Sequence, residues 1–164
     1  GTLKSREWFR RIVSTQREIG NINRLVEGLS KPSRLAPGMM IVFYYNAKHA
    51  ETLSYWDKHP LVMINSITRD GWTGENFHYM HPRHRARMMY DSNRKRIPVF
   101  NQMDPLFHEQ MPYCNKKYFA ERASMVREVP KELWELVLQM PFENFQKQSK
   151  SFVWKETTKK ARRK

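Results

Sequence analysis

The chain of 164 residues carries 30 lysines and arginines against 16 aspartates and glutamates, a formal charge of +14 with a pI near 10.1. Its length suits one domain with elaborations, and a content of 40 % hydrophobic and 13 % aromatic residues excludes a wholly disordered polyelectrolyte. No apolar run reaches the roughly 18–20 residues of a membrane span, and Gly1 to Arg11 holds no apolar signal core.

Residues 3–19 read as a helix, with Trp8, Phe9, Ile12, Val13 and Ile19 near one face and Lys4, Arg6, Arg10, Arg11 and Arg17 mostly elsewhere. Gly20-Asn21 stops it, and Ile22, Leu25, Val26 and Leu29 predict a second short piece before the breakers Pro32 and Pro37-Gly38. The period then changes. Met39 to Tyr45 is a strand by its β-branched and aromatic content, and Leu61 to Thr68 is a second one. Asp70-Gly71 signals a tight hairpin into a third strand, Trp72 to Tyr79. Pro82 opens a helix running to about Tyr90, and 91–114 is proline-punctuated and irregular. A short helix over 115–123, a strand over 124–129 and a helix from Pro130 to Pro141 follow. Three strands, a long first loop and a tight second hairpin suit a small, strongly curved, SH3-like barrel. The expected fold is therefore α+β: an N-terminal helical segment (1–36), a barrel core with appended helices (37–146), and a mobile basic tail (147–164).

The charge is concentrated. Residues 147–164 hold eight basic residues against Glu156 alone, half of the net charge. Such a density neutralises phosphates with release of counterions, and the candidate contacts there are Lys155, Lys159, Lys160, Arg162, Arg163 and Lys164. A second cluster, Arg83, Arg85, Arg87, Arg94, Lys95 and Arg96, begins on the helix after the third strand and can lie along a backbone. The first helix adds a third basic element.

Other chemistry finds little support. The single cysteine, Cys114, excludes an internal disulfide and a clustered-thiol metal site. His78, His81 and His84 lack a zinc-ligand pattern. Asp57 and Glu75 form a carboxylate pair only if the fold joins them, and no phosphate-cradling, nucleophile-elbow or dinucleotide motif is present. Tyr55, Trp56, Trp72 and Tyr79 are candidates for base stacking, against the plainer role of filling the barrel.

Specific residue runs add to this. Gly38-Met39-Met40-Ile41-Val42-Phe43-Tyr44-Tyr45, Tyr55-Trp56-Asp57 and Pro60-Leu61-Val62 lead to Gly71-Trp72-Thr73-Gly74-Glu75-Asn76-Phe77-His78-Tyr79, then Pro82 and Arg85. These, with the stretch from Trp134 to Phe145 and Val153-Trp154-Lys155, resemble the DNA-end protector proteins of T4-like phages over 38–90 and 125–156. The resemblance implies a virion component, in the host cytoplasm during assembly, that caps packaged genome ends against nucleases. It assigns no catalytic role to Asn76 or His78. The expected function is thus non-enzymatic, cofactor-free binding of DNA, with no membrane partner. The alternative is a neck or baseplate protein whose basic surfaces grip acidic virion neighbours near the portal.

Overall fold

The computed structural model describes residues 26–86 and 105–162. The helix expected over 3–19 and the basic residues Arg87, Arg94, Lys95, Arg96, Arg163 and Lys164 lie outside the described residues.

Among the described residues seven strands and three longer helices follow in chain order: β1 (Met40–Tyr45), β2 (Trp56–Asp57), β3 (Leu61–Thr68), β4 (Gly71–Asn76), α1 (Pro105–Cys114), β5 (Asn115–Phe119), β6 (Ala123–Val129), α2 (Lys131–Gln139), β7 (Phe145–Gln146) and α3 (Lys150–Arg162). Five strands form one antiparallel sheet in the order β5-β4-β3-β1-β6, and β2 pairs with β7 apart from it. The hairpin between β3 and β4 turns at Arg69–Asp70, with Thr68 opposite Gly71, one residue earlier than the sequence suggests. Gly71 does not have positive φ; its glycine is needed because a Cβ would strike the Tyr118 carbonyl of β5. At Gly74 a Cβ would meet the Met63 carbonyl and the Val62 side chain of β3. Close strand approach thus explains both glycines of the Gly-x-x-Gly run.

The α+β class holds, but the barrel does not close. Strands β5 and β6 stand at opposite ends of the order and are joined by the 3-10 turn Ala120–Arg122 alone. Four strand spacings in a flat sheet are about 19 Å, whereas four Cα steps reach at most about 15 Å, so the sheet must curl. Register shifts opposite Val42/Tyr44 and Ile64/Ser66 supply bends of the kind bulges give. Where closure would need a further ladder, the Phe119 N–H instead donates to the Tyr45 hydroxyl at 3.1 Å.

Curling leaves β1 and the first half of β3 buried on both sides. Ile41, Phe43, Tyr45, Val62, Ile64, Trp72 and Tyr118 fill the inner face, with Phe43 edge-on to Trp72 and Tyr118 at 5.2 and 5.1 Å. Met40, Val42, Leu61 and Met63 turn outward into a second cluster with Trp134, Val137 and Leu138 of α2 and Val153 of α3. Residues 115–119, expected as helix, are a strand because β4 offers a free edge that pairs from Gly71 to Glu75. The stretch expected to be irregular ends in α1, with Pro112 in its last turns.

The largest departure is the tail. Residues 150–162 are a helix, not a mobile arm, and Val153, Thr157 and Ala161 form a buried stripe at i, i+4, i+8. This stripe faces inward and α3 packs against α1, which leaves the lysines on the outer side. Lys147 is fixed as well, its ammonium donating to the Ala50 and Leu53 carbonyls at 2.5 and 2.7 Å.

Candidate nucleic-acid groove

Two polar constructions sit behind the candidate site and position it. The first centres on Asp57, a buried residue of β2. Its carboxylate accepts from His78 Nδ1 at 2.7 Å, Asn76 Nδ2 at 3.0 Å, and the backbone N–H groups of His59 and Asn144 at 3.0 and 3.1 Å. Asn76 Nδ2 also donates to the Tyr118 hydroxyl, and its Oδ1 accepts the His78 N–H, capping the 3-10 turn Phe77–Tyr79. Burial by itself would raise the Asp57 carboxyl, but the His78 charge and these hydrogen bonds outweigh it and hold the group below its usual range. The Asn-x-His motif and the Tyr-Trp-Asp run therefore join β2, β4, β5 and β7 into one knot. Glu75 is not part of it. It accepts from Asn65 and Asn115 on an exposed face, so the fold makes no Asp57–Glu75 pair.

The second construction corrects the reading of Arg85. It is not a surface phosphate contact: the side chain is 1 % exposed and faces Glu143, equally buried, at 3.4 Å. Its Nε and Nη1 donate to the Met80 and Leu138 carbonyls at 2.8 and 3.1 Å. Charge counting cannot tell which arginine of a cluster turns inward. This one does, and it supplies donors to the carbonyls of Met80, after the 3-10 turn, and Leu138, in the last turn of α2.

In front of Arg85 lies the groove. Residues 82–86 are helical, and beside them α3 presents Ser151, Trp154, Lys155, Thr158, Lys159 and Arg162 at successive helical turns. With His81, Arg83 and His84 opposite, they enclose a groove of about 630 Å³. Among the described residues four cations line it, Arg83, Lys155, Lys159 and Arg162, and no carboxylate does. The Trp154 indole is held as a fixed feature. Its Nε1–H donates to the His78 carbonyl at 2.9 Å and its ring stands 5.0 Å from His81. His84 Nδ1 pairs with the Gln110 amide nitrogen of α1 at 3.0 Å. Burial, then the nearby His84, Arg83 and Arg85, hold His81 below the ordinary imidazole value, as expected in a positive potential.

The structure thus brings together four of the twelve residues expected from sequence, from two clusters about 70 positions apart. Lys160 does not line the groove; burial first, and the charge of Lys160 as well, lower the pKa of Lys116. Sequence reading missed Trp154, His81, His84, Ser151 and Thr158 as groove residues. The spacing 151, 154, 158, 162 was the available signal once α3 was known to be helical. Of the aromatics suggested for stacking, Trp72 and Tyr79 are core residues and Tyr55 packs near Tyr79 and Phe152. Cys114 is buried, its thiol pushed up to about 12. Among the described residues no group of three or more His, Cys, Asp or Glu is placed to hold a metal ion, and no helix is long and apolar enough to cross a membrane.

No curated protein and no solved structure matches the chain. One family model does, that of the phage T4 terminal DNA protecting protein, over residues 2–101; α3 and the resemblance at 125–156 lie beyond the matched segment. With well over half of its length so matched, the chain belongs to the family of the phage T4 terminal DNA protecting protein.

Proposed function

We propose that this protein binds DNA without cutting it, gripping phosphates in the groove between 81–86 and α3, and that it holds or protects packaged genome ends in the virion. The observation that carries the reading is the convergence of two separate basic stretches on one groove, with cations on both walls and an indole on the α3 wall. The family supports the end-directed part, and the +14 charge supplies the attraction. Arg83, Lys155, Lys159 and Arg162 are the proposed phosphate contacts. Arg87, Arg94, Lys95 and Arg96 continue one wall in sequence, Arg163 and Lys164 the other, and Lys160 adds charge beside α3.

Exonuclease digestion of linear DNA, with nicked circles as competitor, tests the proposal. Protection that persists in the presence of circles and is lost in the variant Arg83→Gln/Lys155→Gln/Lys159→Gln/Arg162→Gln is the expected result. Protection removed by circles in proportion to their mass leaves a general coating protein, since phosphate contacts carry no positional information. Absence of protection at any concentration refutes the reading and favours basic surfaces that grip acidic neighbours in the neck or baseplate.

A further inference from the structure

A duplex end can be met in two chemical forms, as a blunt terminal pair or as an unpaired strand. The groove distinguishes them by size and lining. Its volume of about 630 Å³ lies within the roughly 300–1,000 Å³ of small-ligand sites, which suits a nucleotide or two and not the breadth of a duplex. From Lys155 to Arg162 the helix advances about 10 Å at 1.5 Å per residue, a row of cations long enough for a short stretch of one strand. Arg83 faces this row from the other wall, so a strand lying in the groove meets cations on two sides. Within the same groove stands the indole of Trp154, anchored through its Nε1–H and half-buried. A positive channel containing an aromatic platform is the arrangement that holds single strands, because every base has a π-face to stack.

We infer that the groove takes the unpaired terminal nucleotides of a DNA end, with Trp154 as the platform for a base and Lys155, Lys159, Arg162 and Arg83 on its phosphates. This rests on the groove being a DNA site, and it narrows the ligand from DNA in general to a single-stranded overhang. His81 and His84 complete the Arg83 wall, and Ser151 and Thr158 add hydroxyl groups to the α3 wall, that of Thr158 donating to the Trp154 carbonyl at 3.0 Å.

The test uses the full chain and a fluorescent duplex closed at one end by a hairpin loop. Its open end is blunt or carries a short oligothymidine overhang, 5′ or 3′, and affinities are compared by anisotropy at one salt concentration. At least one overhang polarity is expected to bind about ten- to hundredfold more tightly than the blunt end, the effect of stacking one base. Trp154→Leu is expected to bring that ratio close to one. Because Trp154 also bonds to His78, Ser151→Leu serves as the second variant: it narrows the groove beside the indole from an exposed position and should likewise erase the ratio. Equal affinity of the wild type for blunt and overhanging ends overturns the inference while leaving the DNA-binding reading intact. Retention of the full preference in Ser151→Leu and Trp154→Leu also overturns it. If the four-cation variant binds both DNAs as the wild type does, the groove is not the DNA site and the broader proposal fails with it.

Discussion

Removing the Arg85 side chain separates two roles that its sequence position leaves mixed, phosphate contact and internal support. In Arg85→Ala the Glu143 carboxylate, 1 % exposed, loses its guanidinium partner, and the Met80 and Leu138 carbonyls lose their donors. Breaking a buried pair from one side costs about 3–5 kcal/mol. Lys150, half exposed and 3.6 Å from the same carboxylate, offsets part of this, which places the expectation near 3 kcal/mol. For a chain of this size about 2–4 °C is lost per kcal/mol, so the thermal midpoint should fall by about 6–12 °C. The double variant Arg85→Met/Glu143→Leu, which removes both charges and keeps apolar volume, should recover much of that loss. Urea denaturation and calorimetry measure the stability, and DNA affinity is measured in parallel below the lowered midpoint. An unchanged midpoint together with a marked loss of DNA affinity would refute the internal assignment and return Arg85 to the interface.

Asp57 has a depressed folded pKa, so its stabilisation is complete above its unfolded value of about 3.9 and is lost as pH falls through the lower folded value. Wild-type urea midpoints should therefore drop more steeply between about pH 4 and pH 2 than those of Asp57→Asn, and parallel profiles would contradict the assignment. A chain cut after Lys155 loses the buried Thr157 and Ala161; at about 1–3 kcal/mol for that burial its midpoint should fall by about 2–12 °C, whereas no shift would mean that the outer half of α3 contributes no packing.

Elements with a clear period were legible in the sequence. β1 is a run of β-branched and aromatic residues, β3 one of β-branched and other aliphatic residues in its first half, and α2 shows its apolar face through Trp134, Val137 and Leu138. β5 was read as helix because Asn115 to Phe119 has no alternation of its own; its state is set by the edge of β4. α3 was hidden for a different reason. Its inward stripe is Val153, Thr157 and Ala161, two of them small or polar, and a weak stripe among many lysines resembles solvated chain. The groove was half legible: charge density identified both walls, but not that Trp154 lines it or that Arg85 turns inward. The Asp57–Asn76–His78 knot joins positions about 20 residues apart through side-chain geometry, which no local pattern encodes.

The strand order also governs how the molecule assembles in time. Among the paired strands of the five-stranded sheet only β3 and β4 are joined by a tight turn; β1 must find β6 some 80 residues away, and the groove walls start about 70 residues apart. Loop closure over such distances is entropically unfavourable before any contact repays it. The β3–β4 hairpin is thus the natural nucleus, and the groove is among the last features to form. Until then its cations are dispersed along an open chain and attract any polyanion without discrimination. Nucleic acid present during refolding should therefore trap the protein in non-native complexes, and screening by salt should raise the yield of folded molecules even though it weakens the binding of the finished ones.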